Sequence, residues 1–257
     1  MTNIQAEEII LGENVQIAPS ASIRGLNGKA KRIEIGDNTF IGENVQIIMD
    51  DFSIGDYCKV HHNSNFHGYK PLSIGHNAWI GQSTLIDSIG GTTIGDNCGI
   101  GAYSQLWSHI RYGDPLEGCN YEGSHPLTIG NDVWFVGHCI VSPIVAANKS
   151  MALVGSVITS NMEENHVYGG SPAKDLTGKI KPQFSPITMG EKRALMSQFE
   201  IANDIQIIED VSEIKDPENI SYFNIVDRTY TKRRSENEVA FMRQLQSKLI
   251  KFTPVPF

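Results

Sequence analysis

The chain has 257 residues, 40% hydrophobic and 19% charged, enough to bury a sizeable core in one large domain or a domain with an appendage. Its 21 basic and 29 acidic side chains leave a formal charge of −8, which argues against a duplex nucleic-acid binder, and no run approaches the ~18 apolar residues of a membrane span. The opening MTNIQAEEII lacks the basic and apolar stretches of a signal peptide, and four cysteines do not make a disulfide framework, so the sequence reads as soluble and cytoplasmic.

In chain order the first strong signal is a period of six. Ile35, Ile41 and Ile47 are six apart, as are Ile54, Val60 and Phe66, then Ile74, Ile80 and Ile86, then Ile94, Ile100 and Leu106. The step resumes at Ile129 and Phe135. Glycine often follows the aliphatic residue, as at Gly36, Gly55, Gly75 and Gly95, and four residues after the aliphatic comes a small or β-branched side chain such as Thr39, Cys58, Ser64 or Cys98. Six is neither the helical period nor strand alternation. It fits a short strand and a tight turn, three of which close a coil, with the aliphatic side chain inward and the small one in the corner. Coils stacked at the ~4.8 Å strand spacing bury each other's edges. The expected fold is mainly β, a parallel β-solenoid, with Cys58, Cys98 and Cys139 as small buried side chains.

Interruptions of the repeat mark where chemistry leaves a rigid scaffold. One lies at Gly25 to Lys31 and one within His61 to Pro71; the largest is a loop over residues 107–128. Eight histidines supply candidate bases. His76 occupies a turn slot usually filled by Asp and reads as solvated surface; His138 sits in a later turn. His109 follows the inward Leu106 by three residues, at the root of the long loop, and His125 stands at its return. Asp114, Glu117 or Glu122 are the acids near enough in sequence to orient a loop imidazole. Trp107, Tyr69, His61 and His62 lie on or near excursions and are candidate acceptor-binding residues.

The repeat stops near Ile180, which divides the chain into a solenoid over 1–182 and a region over 183–257. In the latter, Leu195, Phe199 and Ala202 have helical spacing, and Ser235–Glu238 reads as a capping box before a helix bearing Val239, Met242, Leu245 and Leu249. Pro254 and Pro256 follow its end, and Tyr222 to Thr231 has extended character. A smaller, α-rich C-terminal region that caps the solenoid is the expectation.

The hexapeptide register, IGNDVW at Ile129 to Trp134 and VYGGSPAK at Val167 to Lys174 together resemble the hexapeptide-repeat acyltransferases, nearest to the branch with maltose, xenobiotic and nucleotide-sugar acetyltransferases. The likeness runs from residue 10 to residue 180, and its most specific element is the G-x-P-A-K closing motif at Gly170 to Lys174. Two departures stand out: Val136 replaces the first glycine after Trp134-Phe135, and Leu153 stands where glycine is usual. The resemblance implies a left-handed parallel β-helix, a homotrimer with sites between subunits, and acetyl-CoA as co-substrate with no metal required. It implies His109 as the general base, with His125 as runner-up, and direct acyl transfer to a hydroxyl or amino group of a sugar or nucleotide-linked sugar, as in cell-surface glycan synthesis. It also implies Trp134, Gly169, Gly170, Ser171, Pro172 and Lys174 at the coenzyme A groove. A non-catalytic β-solenoid scaffold is the alternative from another class, and an antibiotic-acetylating enzyme ranks below it. The γ-class carbonic anhydrases also share the solenoid; His62 and His67 have a similar offset, yet the region near Leu26 lacks a third histidine.

Overall fold

The computed structural model describes residues 3–255, and Pro256 lies outside them. The chain forms two compact units, one ending at Phe184 and the other beginning at Ser185.

The first unit is a parallel β-solenoid. Each coil contributes three short strands, such as Leu72–Ile74, Trp79–Ile80 and Leu85–Asp87, and each strand pairs in parallel with its counterparts in the coils before and after. We call these the first, second and third faces. The second face is a nine-stranded sheet closed by the antiparallel pair Val167–Gly170 and Ala173–Asp175. The first and third faces join into one fourteen-stranded sheet because Ile4–Leu11 pairs with both Ser22–Arg24 and Ala30–Ile35 at the N-terminal end.

The six-residue period places one side chain per strand in a common interior. Ile35, Ile41, Ile47, Val60, Phe66, Ile80, Ile100, Leu106 and Phe135 are all fully buried. The small inward residues have a polar reason as well as a steric one. Their hydroxyl or thiol donates to a corner carbonyl of the next coil: Thr39 to Gly55 (2.8 Å), Cys58 to Gly75 (3.1 Å), Ser64 to Gly81 (3.1 Å) and Cys98 to Gly130 (3.0 Å). A larger side chain would fill the corner, and an apolar one would leave the carbonyl unpaired. Burial pushes the Cys58 thiol far up, so it stays protonated and serves as a donor.

Turns repeat as strictly. The residue after the turn glycine accepts the N–H of its counterpart one coil earlier: Asp56 Oδ1 from Asp37 (2.8 Å), Asp96 Oδ1 from His76 (2.7 Å), Asn131 Oδ1 from Asp96 (2.8 Å). His76 belongs to this ladder. Its Nδ1 accepts from the Asp56 N–H at 2.9 Å, so it is a structural substitute for a carboxylate and not a solvated surface group. His62 does the same for the Glu43 N–H at 3.0 Å. Asn38, Asn77 and Asn97 take the left-handed conformation that the turn requires and that Asn tolerates best among non-glycine residues.

At Gly101 the requirement is space. A β-carbon there would lie 2.0 Å from the Val136 carbonyl oxygen of the next coil. Gly101→Ala therefore has to push the coils apart, at a cost of about 1–3 kcal/mol. A lowered melting temperature is the expected reading, and an unchanged one would mean that neighbouring coils are not packed this closely.

The second unit holds two helices, α1 (Met189–Met196) and α2 (Glu236–Ser247), beside a four-stranded sheet in the order Ile205–Ile208, Ser221–Asn224, Thr229–Thr231, Thr253–Val255. Thr188 and Glu191 form a capping box on α1, and the Ser235 side chain caps α2. Phe223 stacks on Tyr230 and meets Phe241 and Phe252 edge-on, which ties sheet to helix. The sheet adds to the helices expected from sequence, and Pro254 sits inside its last strand.

Candidate active site

The excursions all leave from the corner between the third and first faces. Gly68 to Pro71, Ser88 to Gly91 and the long loop after Leu106 occupy this corner on successive coils. The loop begins as an antiparallel pair, His109–Arg111 with Glu122–Ser124, in which His109 stands opposite Ser124. Its tip is a short 3-10 turn, Pro115–Glu117, capped by the Asp114 carboxylate and ended by Gly118 in the left-handed conformation.

His109 is held by a group that sequence reading did not name. Asp87 ends the third-face strand one coil earlier, and its side chain is fully buried. Its Oδ2 accepts three bonds: from the Ser108 N–H (2.9 Å), the Ser108 hydroxyl (2.6 Å) and His109 Nδ1 (2.8 Å). Burial alone would raise this carboxyl's pKa. The bonds from the Ser108 hydroxyl, His109 and the Ser108 N–H outweigh it and hold the group below its ordinary value. An ionised carboxylate only accepts, so Nδ1 of His109 carries a proton, and in the neutral ring the lone pair is then on Nε2. The imidazole side chain is 19% exposed, which leaves an edge open to a substrate. This is the arrangement of a general base with an orienting acid.

The three loop acids considered from sequence are otherwise engaged or remote. Asp114 caps the tip turn, Glu122 pairs with Arg111 at 3.0 Å, and Glu117 lies in the exposed 3-10 turn. Chain adjacency misled here: Asp87 is 22 residues from His109 in sequence and next to it across a coil. Register arithmetic could have found it, because the pairing of Ile86 with Leu106 sets Asp87 beside the residues that follow Leu106.

The other candidates distribute as follows. Trp107 packs near the His109 ring, with centroids 6.1 Å apart. Tyr69 is exposed at the same corner. His61 and His62 stand at the corner between the second and third faces; the His61 ring lies tilted against Trp79 with centroids 5.0 Å apart, and His62 is spent on the turn ladder. They are not brought to His109 within one chain. His125 donates its backbone N–H to Ser108 and lines a cavity of about 250 Å³ with Ile110, Tyr121 and Pro143, and its ring has no carboxylate partner among the described residues. His138 adopts the left-handed turn conformation and stacks on Tyr103 at 4.9 Å.

Trp134 and the segment Gly169 to Lys174 share the second face near its C-terminal end. Trp134 pairs in register with Gly99 and Met151, and the latter with Val167. The Trp134 ring covers Gly99, where a β-carbon would meet it at 3.0 Å. Gly169 pairs with Lys174 in the closing hairpin, whose turn contains a cis Ser171–Pro172 bond. In a three-sided coil the second face lies opposite the corner that carries His109. His109 and these residues therefore point away from each other in one chain.

Three-sided coils of hexapeptide repeats with a histidine-bearing loop at one corner define a class. The model of the family described as the hexapeptide repeat of succinyl-transferase matches residues 32–64 and 71–102. Over those residues the chain carries the hexapeptide repeat that this family model describes. It is 27% identical over 165 residues to the bifunctional protein GlmU of Thermosipho melanesiensis, covering 63% of this chain and 27% of that protein. A 52-residue stretch is 36% identical to galactoside O-acetyltransferase of Escherichia coli, covering 20% of this chain and 26% of that one. The matched stretches thus span well under half the length of these curated relatives. Among solved structures, a mutant form of AntD, an N-acyltransferase from Bacillus cereus in complex with dTDP and coenzyme A, is similar with 20% identity and a TM-score of 0.47, covering 75% of this chain and 93% of that one.

No helix among the described residues is long and apolar enough to cross a membrane.

Proposed function

We propose that this chain is a coenzyme A-dependent acyltransferase that moves an acetyl group to a hydroxyl or amino group of a sugar or nucleotide-linked sugar, with His109 as general base. The observation that carries the reading is the buried Asp87 carboxylate on His109 Nδ1 at the root of the long loop. His109 Nε2 takes the proton of the attacking hydroxyl or amine as the new bond to the thioester carbonyl forms. The tetrahedral oxyanion then collapses, the carbon–sulfur bond breaks, and the imidazolium returns its proton to the departing thiolate. Asp87 keeps the imidazole in the productive tautomer and stabilises the cation that forms, without taking the proton itself. No acyl-enzyme is needed. That donor is a cytoplasmic metabolite, so the same reading places the chain in the cytoplasm.

We assign the donor to the groove lined by Trp134, Gly169, Gly170, Ser171, Pro172 and Lys174, and the acceptor to the corner with Trp107 and Tyr69. The opposed placement of these two sets in one chain supports a homotrimer, in which the second face of one subunit meets the loop corner of the next. It also gives His61 and His62, remote from His109 in their own chain, a way to reach an acceptor held by a neighbour. Cyclic closure satisfies every copy equally. Light scattering is expected to give three times the 28.4 kDa chain mass, and a stable monomer at micromolar concentration would sink both the trimer and the shared site.

The test of function is thiol release from acetyl-coenzyme A in the presence of sugar and nucleotide-sugar acceptors. Lys174→Glu should raise the KM for the donor at low salt by bringing like charge to its phosphates, with the difference shrinking as salt screens it. An unchanged donor KM at low salt would remove Lys174 from the groove. Thiol release that never exceeds the uncatalysed rate with any acceptor would favour a scaffold.

A further inference from the structure

Asp87 has two oxygens, and only Oδ2 is accounted for above. Oδ1 accepts one long bond, from the Ile89 N–H at 3.3 Å, although the side chain is fully buried. A second imidazole faces that oxygen. His67 pairs in register with Asp87 on the adjoining third-face strand, and its Nε2 lies 3.6 Å from Oδ1. Its other nitrogen is fixed too: Nδ1 lies 3.1 Å from Asn65 Oδ1, while the Asn65 amide nitrogen donates to Gln46 Oε1 at 3.3 Å. Since Asn65 Oδ1 only accepts, Nδ1 of His67 is a donor. Neutral His67 then turns a lone pair toward Asp87 Oδ1; protonated His67 turns an N–H toward it and makes a charge-assisted bond. The carboxylate thus stands between two imidazoles, one on each oxygen, contributed by the coils before and after it.

We propose that His67 is a positioning residue for this site: from the preceding coil its protonated ring holds Oδ1 of Asp87, so that Oδ2 stays aimed at His109 Nδ1. The proposal rests on the acyltransferase reading for its kinetic consequences and on geometry alone for the rest. The long bond from the Ile89 N–H is a weak hold on Oδ1, and a protonated His67 adds a charge-assisted one that resists rotation about the Cβ–Cγ bond. Misplacement of a base by a fraction of an ångström is costly because proton transfer needs close alignment. His67 itself is not a catalytic residue, since it acts through Asp87. The charged groups on adjoining elements are Arg24, further along the same third-face column, and Lys70 in the following corner, and neither bonds to Asp87.

In the full-length protein, the melting temperature is expected to fall in His67→Leu, and in a double-mutant cycle with Asp87→Asn the two losses should not add, because both remove the same contact. Kinetically, His67→Leu should lower kcat about tenfold, in the range of a group that orients a functional ligand from behind, with the KM values for donor and acceptor changed less than about twofold. His67→Gln, whose amide N–H can reach the same oxygen, should recover most of that loss. Fully additive losses in that cycle would overturn the proposal. So would a His67→Leu variant with wild-type kcat and a raised acceptor KM, which would make His67 a substrate contact. If the wild type transfers no acyl group to any acceptor, the acyltransferase reading fails and the double-mutant cycle alone decides whether His67 holds Asp87.

Discussion

Removing the imidazole of His109 should cost activity and almost nothing else. In His109→Ala the turnover number is expected to fall by about 10²–10⁴-fold, the usual worth of general-base catalysis. The melting temperature should hardly move, because the ring lies at the root of a surface loop and packs into no part of the aliphatic interior. Asp87 Oδ2 would keep both bonds from Ser108 and remain satisfied. Donor affinity should survive, since the groove residues belong to the opposite face. His125→Ala should retain most activity, because that ring has no carboxylate partner among the described residues. A dead His125→Ala beside an active His109→Ala would move the base to the far end of the loop.

Asp87→Asn should injure both activity and stability, and this distinguishes it from the loss of His109. Asparagine has one oxygen where the site needs an acceptor toward Ser108 N–H, Ser108 hydroxyl, His109 Nδ1 and Ile89 N–H. Its amide nitrogen would face at least one of these donors, leaving a buried polar group unsatisfied at about 1–3 kcal/mol. The imidazole would also be free to adopt the other tautomer, which in a comparable triad costs about 10⁴-fold in turnover. The wild-type carboxyl is held below its ordinary value of 3.8. Its contribution to stability is therefore fully present above that pH and is lost as pH falls through the lower folded-state value. The gap in melting temperature between wild type and Asp87→Asn should narrow at strongly acid pH. A gap that stays constant down to the acid limit would mean that the carboxylate does not carry the stabilisation.

Much of the solenoid could be read from the sequence because a coil forces the same constraint on every sixth residue. Ile41, Ile80 and Ile100 are interchangeable in role, and so are Thr39, Cys58 and Cys98; repetition multiplies a weak local signal until it is decisive. The site resists the same treatment because it occurs once. His109 could be singled out by its place at the root of the loop, but Asp87 lies in a stretch, LIDSIGG, with no local mark of function. Its meaning comes from the neighbour that the register brings to it. The role of His76 was hidden for a related reason. A histidine and an aspartate look chemically unlike, yet an unprotonated Nδ1 and a carboxylate oxygen offer the same acceptor to the N–H one coil below. The sheet of the second unit was only partly legible, since Thr253–Val255 is three residues long and includes a proline, and a strand that short has no period to read.

A stack of identical rungs also works as a ruler. From the coil that carries His109, the second face climbs through Trp134–Phe135 and Met151–Ala152 to Val167–Gly170, three steps of about 4.8 Å each. The height between the base and the closing hairpin is therefore quantised by the number of coils, and side-chain substitutions cannot tune it. Deleting one whole coil would leave every remaining rung correctly paired and shorten that height by a single increment. For an extended donor laid along the groove, this would move the thioester past the base while the protein stayed folded. A solenoid can thus change the spacing between a loop and its closing hairpin only in whole coils, whereas its loops are free to change what stands at one end.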